Sequence, residues 1–188
     1  MRIIAGKHKG RRIELPKEAA QSVRPTSDFA RQAIFNILTH GRHGLNGHSF
    51  EGIQVLDVFC GTGAFGLEAL SRGAAHVTFV DSAREALAAA RHNAERIGEL
   101  GQADFLLANA AKLGKSSRAY DVVFLDPPYF SGLIGPTLEA LKAGGWLAPG
   151  ATLITEHDAK EALALPQGFH PLDERRYGRA VVALIRMD

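Results

Sequence analysis

From Gln54 onward, short continuous apolar runs alternate with longer amphipathic stretches. "QVLDVF", "HVTFVD", "ADFLLA", "YDVVFLD" and "ATLITEH" are rich in β-branched and aromatic residues and predict strands. Between them "FGLEALSR", "REALAAARHNAERI" and "PTLEALKA" repeat their apolar residues at helical spacing, the last stopped by Gly144 and Gly145. Strands without a polar face are covered on both sides, which predicts a parallel sheet joined by right-handed crossovers. "RAVVALIRM" predicts one more strand. The pattern defines an α/β fold of the Rossmann-like kind.

The first part of the chain is different. "RIIAGKHKGRRIEL" (residues 2–15) predicts two short strands around a Gly-rich basic turn, a hairpin standing as an arm rather than as part of the core. "TSDFARQAIFNILTH" (26–40) predicts a helix with Thr26 or Ser27 as N-cap and Ala30, Ala33, Ile34, Ile37 and Leu38 on one face. The Gly-rich segment 41–52 then reads as a joint. Two units are expected: a hairpin-and-helix extension over 1–45 and the α/β domain over 46–188.

Composition adds limits. With 188 residues and 46% hydrophobic content the chain can bury a core, and its single cysteine excludes a disulfide framework. No run approaches the length of a membrane span or a secretory leader, so a soluble, cytoplasmic protein is expected, with no membrane partner. The net charge of +2 hides a polarity: residues 1–42 carry nine Lys or Arg against three acids, and the remainder is net acidic. A basic extension on an acidic body suits a polyanion, because each neutralised phosphate releases a counterion. Lys7, His8, Lys9, Arg11, Arg12, Arg24 and Arg31 are the candidate RNA-facing residues.

The chemistry is concentrated at two strand ends. In "LDVFCGTGAFGLEAL" (56–70) a strand runs through Gly61-Thr62-Gly63 straight into a helix, which brings backbone amides close to a ligand. The spacing also satisfies the dinucleotide fingerprint, so a dinucleotide-dependent oxidoreductase is a rival reading. Charge separates the two. Asp57, four residues before Gly61, would repel a pyrophosphate but suits the ammonium of S-adenosylmethionine. Asp81, closing the next strand, can accept both hydroxyls of a ribose in either cofactor.

The second strand end is "LDPPY" (125–129). Two prolines fix the backbone and remove two N–H donors, leaving carbonyl oxygens and the Asp126 carboxylate as a rigid set of acceptors. Such a corner can orient an exocyclic amine and draw its lone pair towards an electrophile, while Tyr129 offers a stacking surface for a flipped base. A carboxylate matches the two donors of guanine, N1 and N2, better than the donor–acceptor edge of adenine. Asp126, Pro127, Pro128 and Tyr129 are therefore the candidate catalytic residues. Adenine-N6 methylation remains an alternative, as does an RNA-binding factor without turnover, although the latter has no need of an all-acceptor corner. Cys60 reads as a small apolar filler and Trp146 as a packing residue, and His40, His43 and His48 lack metal-site spacing, so no metal is expected.

"LDVFCGTG" with "LDPPY" resembles motifs I and IV of the class I S-adenosylmethionine-dependent methyltransferases that act on exocyclic amines. "RIIAGKHKGRRIELP", "VRPTSDFARQAIFNIL" and "RYGRAVVALI" extend the resemblance over essentially the whole chain to the bacterial 16S rRNA guanine-N2 methyltransferases of the RsmD family. That resemblance implies a seven-stranded, mostly parallel sheet preceded by a hairpin and helix. It implies N2 methylation of a guanine in 16S rRNA, within the small ribosomal subunit or its precursor, by a monomer. Carried over by position, Asp57, Gly61 and Gly63 hold the methionine end of S-adenosyl-L-methionine and Asp81 the ribose. Phe59, Thr62, Ser82, Asn109 and Ala110 complete the expected cofactor-binding set. Two positions depart from the usual family pattern: Asp81 stands where relatives tend to have Glu, and Asn109 where they tend to have Asp. The Asn109 carbonyl is expected to accept from adenine N6 and its amide to donate to N1.

Overall fold

The structure, a computed structural model, describes residues 1–14, 28–42, 44–45 and 49–188. The chain runs α1 (Asp28–His40), β1 (Gln54–Val58), α2 (Ala64–Ser71), β2 (His76–Asp81), α3 (Arg84–Arg96), β3 (Ala103–Leu107), β4 (Tyr120–Leu125), α4 (Ile134–Ala143), β5 (Leu147–Asp158), β6 (Phe169–Tyr177) and β7 (Ala180–Met187). The strands form one seven-stranded sheet in the order β3-β2-β1-β4-β5-β7-β6. β3, β2, β1, β4 and β5 are mutually parallel, and β7 runs antiparallel between β5 and β6.

β1, β2 and β4 are apolar on both faces because each face is covered. On one side Val55, Val77, Phe79, Val122 and Phe124 meet α1, α2 and α3. On the other, Leu56, Val58, Val80, Val123 and Leu125 meet α4 and Trp146. Trp146 is 5% exposed, stacks on Tyr120 and donates its indole N–H to the Gly114 carbonyl, the packing role expected of it. Successive crossovers carry the chain from β1 outward to β2 and β3, then back to the other side of β1 as β4. That reversal opens a crevice at the carboxyl ends of β1 and β4, where sheets of this kind bind ligands.

Two expectations change. The hairpin over 2–15 is shorter than two regular strands: one antiparallel bridge joins Arg2 and Arg12, with Ile3 N–H donating to the Arg11 carbonyl at 3.0 Å and Ile13 N–H to the Met1 carbonyl at 3.1 Å. Other backbone donors of the segment go to α2, Ile4 and Ala5 N–H to the Glu68 carboxylate at 2.7 and 3.0 Å, Lys7 N–H to the Ser71 carbonyl, and His8 N–H to Ser71 Oγ. Nor is the segment wholly an arm, because Ile3 and Ile13 are buried in the same apolar cluster as Phe35, Leu67 and Val55. Gly6 allows this approach: at φ +81°, a Cβ there would stand 1.8 Å from the Ser71 carbonyl oxygen. The second change is β6, a strand the hydrophobic pattern did not announce. It lies at the sheet edge with Pro171 inside it and a register shift between Pro171 and Asp173, both devices of edge strands. The N-cap expected at Thr26 or Ser27, and Arg24, lie outside the described residues.

Candidate active site

The site is built on three neighbouring strand ends and one turn. β1 ends at Val58 and the chain turns through Phe59, Gly61 and Gly63, all with positive φ (61°, 52° and 78°), before α2 begins at Ala64. The non-glycine Phe59 in the left-handed region stores local backbone strain. The turn is strapped on both sides: Cys60 N–H donates to the Val80 carbonyl at 3.1 Å, and Asp126 N–H to the Val58 carbonyl at 3.3 Å. Gly63 lies against Ala90 and Phe79, where a Cβ would come within 3.0 Å, whereas a Cβ at Gly61 would meet nothing within 4 Å. Gly63 thus seats the turn on its support and Gly61 leaves it open.

Strand periodicity places the acids. Asp57 shares parity with Val55, Asp81 with Val77 and Phe79, and Asp126 with Val122 and Phe124, all residues of the α1–α3 face. Asp57 is 2% exposed, and its Oδ2 accepts the Gly66 N–H at 2.9 Å. Burial pushes its carboxyl well above the ordinary value, opposed by the Gly66 hydrogen bond and reinforced by the charges of Asp126 and Asp81. Asp81 accepts Gly61 N–H on one oxygen and Ala83 N–H on the other, both at 3.0 Å, which closes the glycine turn onto the end of β2. Burial also raises the Cys60 thiol, in keeping with its reading as an apolar filler.

The remaining cofactor candidates line the same edge. Thr62 is buried and its carbonyl accepts from Asn93 Nδ2 at 3.2 Å. Ser82 is exposed after Asp81, and Ala110 is buried at the start of the 3-10 turn that follows β3. The Asn109 side-chain oxygen accepts Ala111 N–H at 3.0 Å, capping the short 3-10 turn that follows, so that oxygen already has a backbone partner. In the DPPY corner Asp126 is half-buried, Pro127 buried, Pro128 exposed and Tyr129 half-buried. The Tyr129 hydroxyl donates to Glu156 Oε1 at 2.9 Å.

The basic residues divide. Lys9, Arg11 and Arg12 are exposed. Lys7 Nζ and His8 Nε2 meet the same oxygen of the buried Glu99, at 2.7 and 2.5 Å, fastening the segment to the body. Arg31 is a correction. Expected to face RNA, it is 1% exposed, with its guanidinium on the Arg2 carbonyl at 2.5 Å and 3.9 Å from the fully buried Glu68. Sequence reasoning also passed over Asn93, which holds both backbone groups of Glu14 as well as Thr62, and over Glu156 behind Tyr129. A cavity of about 730 Å³ lies across the sheet at its amino ends, beside Leu45, Glu51, Ile53, Asp121 and Thr152. Asp57, Asp81 and Asp126 do not line it.

A sheet of this order, with an acid-flanked glycine turn at its reversal point, is that of a class I methyltransferase. The fold matches a solved structure described as the putative methyltransferase yhhF from Escherichia coli, with a TM-score of 0.81 and 29% identity over 100% of this chain and 98% of the other. The model of the family described as "Conserved hypothetical protein 95" matches residues 1–186. The chain is 34% identical to ribosomal RNA small subunit methyltransferase D of Escherichia coli, over 87% of this chain and 77% of that protein. It is 32% identical to the protein of the same name from Haemophilus influenzae, over 95% and 89%. The chain belongs to this family, the RsmD family of rRNA methyltransferases.

Proposed function

We propose that the protein transfers a methyl group from S-adenosyl-L-methionine to the exocyclic N2 of a guanine in 16S rRNA, within the small ribosomal subunit or its precursor. The observation that carries the reading is the convergence of Asp57, Asp81 and Asp126 on one face of three adjacent strand ends around an open Gly61. The residues fit such a cofactor. The enclosed Asp57 carboxyl, pushed towards its neutral form, gains most from a cationic amine. Asp81 presents its carboxylate at the glycine turn for ribose hydroxyls, and Phe59, Thr62, Ser82, Asn109 and Ala110 complete the cofactor-binding set. Bound there, the cofactor supplies an electrophilic methyl on sulfur. What the chain contributes is position: Asp126 and the Pro127 carbonyl accept the hydrogens of N2, orienting its lone pair, and the Asp126 carboxylate offsets the charge that grows on the amine. Tyr129 stacks on the flipped base. Lys9, Arg11 and Arg12 contact phosphates, so that segment 1–45 serves RNA binding and 46–188 the chemistry.

The test is transfer of label from tritiated cofactor to small subunits lacking the modification, followed by nucleoside analysis for N2-methylguanosine. Asp126→Ala is expected to lower transfer at least about 100-fold, the scale for loss of a preorganised electrostatic contact, while affinity for S-adenosylhomocysteine stays near that of the wild type. Label in N6-methyladenosine, or none from a folded protein, would contradict the proposal.

A further inference from the structure

Tyr129 is held more firmly than a stacking side chain on a surface needs. Its hydroxyl donates to Glu156, which is itself only 6% exposed at the end of β5. One face of its ring is covered by Arg179, whose guanidinium carbon stands 5.8 Å from the ring centroid. Arg179 is fixed in turn by an ion pair with Asp158, which is fully buried. Asp158 also accepts Lys160 N–H at 2.9 Å. Period two puts Glu156 and Asp158 on the same face of β5 as Ile154, the face that Asp57 and Asp126 share. The chain beyond the ring is tied as well: Phe130, at φ +59°, donates its N–H to Glu161 at 2.9 Å, and Ser131 N–H donates to the Pro128 carbonyl.

Carboxylates buried at a strand end are costly where packing alone is needed, since an apolar residue would fill the space without desolvating a charge. Here both sit behind one tyrosine. The same surroundings keep the phenol protonated, because burial and the neighbouring Glu156 push it above its ordinary range, so it stays a donor at any working pH.

We propose that Glu156 and Arg179 are positioning residues for methyl transfer: Glu156 fixes the rotation of the Tyr129 ring, and Arg179 takes one of its faces, so that an incoming base stacks on the other, facing Asp126. This rests on the guanine-methyltransferase reading above. A ring fixed in advance loses less freedom when the base arrives and holds the amine within the narrow geometry that transfer requires.

The experiment measures kcat, KM for RNA and affinity for S-adenosylhomocysteine in the full-length protein and its variants. Removing the hydroxyl in Tyr129→Phe breaks a hydrogen bond to a charged partner, and a loss of about ten-fold in kcat/KM for RNA is expected. Cofactor affinity should stay within about two-fold, as the phenol faces the base and not the glycine turn. Glu156→Gln keeps an acceptor and should recover most of what Glu156→Ala loses. Tyr129→Phe combined with Glu156→Ala should be no worse than Glu156→Ala alone, because both remove one bond. Arg179→Ala should raise KM for RNA more than it lowers kcat. If Glu156→Ala does not fold, Tyr129→Phe and Glu156→Gln still decide. A wild type that labels RNA together with a fully active Tyr129→Phe, or additive losses in the double variant, would overturn the clamp alone. A wild type that labels no RNA overturns the methyltransferase reading and the clamp with it.

Discussion

Asp57 sets the electrostatics behind the glycine turn. With its carboxyl enclosed and its pKa raised well above 3.8 by burial, the native chain retains a proton that the unfolded chain has already released. The native state therefore binds more protons between 3.8 and the raised value, and the stability of the ligand-free protein falls as pH climbs through that window. A cationic amine beside Asp57 favours the ionised carboxylate and reverses the shift. Binding of S-adenosylhomocysteine, which keeps that amine, is expected to tighten as pH rises across the window and to expel a proton. Calorimetric titration in buffers of different ionisation enthalpy measures that proton. In Asp57→Asn both the proton release and the pH dependence should vanish. An unchanged proton count in the variant would mean that the ionisation belongs to another group.

Among the elements, α2 does two tasks with opposite faces. Its start follows the glycine turn, its apolar side lies on β2, and Glu68 and Ser71 on its far side hold the N-terminal segment. Close approach to the sheet depends on Gly66, where a Cβ would stand 2.4 Å from the Phe79 ring and 2.7 Å from Val77 Cγ1. Gly66→Ala is expected to cost about 1–3 kcal/mol by overpacking, seen as a melting midpoint lower by roughly 2–4 °C per kcal/mol in a chain of this size. Gly114→Ala, where a Cβ meets nothing within 4 Å, is the control and should stay within about 0.5 kcal/mol. A Gly66→Ala protein melting with the wild type would show that α2 can lift from β2 without loss. This element also marks how far the sequence could be read. β1, β2, β4 and α3 were legible because strands buried on both faces and a helix with one apolar stripe leave periodic signals. β6 left none: "FHPLDERRY" is an edge strand, mostly exposed and broken by a proline. The acids closing β1, β2 and β4 stood out as charges ending apolar runs. Glu156 did not: "ATLITEH" predicts its strand, but nothing local reports that its side chain is buried behind Tyr129. Arg31 was misread for a related reason, since its partner Glu68 lies on another helix and nothing local reports its burial.

For the molecule as a whole, the polarity of charge along the chain becomes an arrangement in space once the anchoring residues are set apart from the exposed ones. Lys7 pairs with Glu99 and His8 Nε2 meets the same oxygen, so both side chains are committed to holding the basic segment against α2 and the end of α3. Lys9, Arg11 and Arg12 are exposed on that fastened segment and are the cations proposed to meet phosphates. Each phosphate contact contributes about 0.7–0.9 to the slope of log affinity against log salt. Replacing Lys9, Arg11 and Arg12 together by alanine is thus expected to flatten that slope by roughly 2–3, with affinity at low salt falling and S-adenosylhomocysteine binding unchanged. Lys7→Ala should behave differently: by leaving Glu99 with a weaker partner it loosens the segment, lowering RNA affinity at every salt concentration with less change of slope. Fluorescence anisotropy on an rRNA fragment between about 50 and 200 mM salt separates the two outcomes. A triple variant with the wild-type slope would place the phosphate contacts elsewhere on the surface and remove the reason for fastening a basic segment to α2.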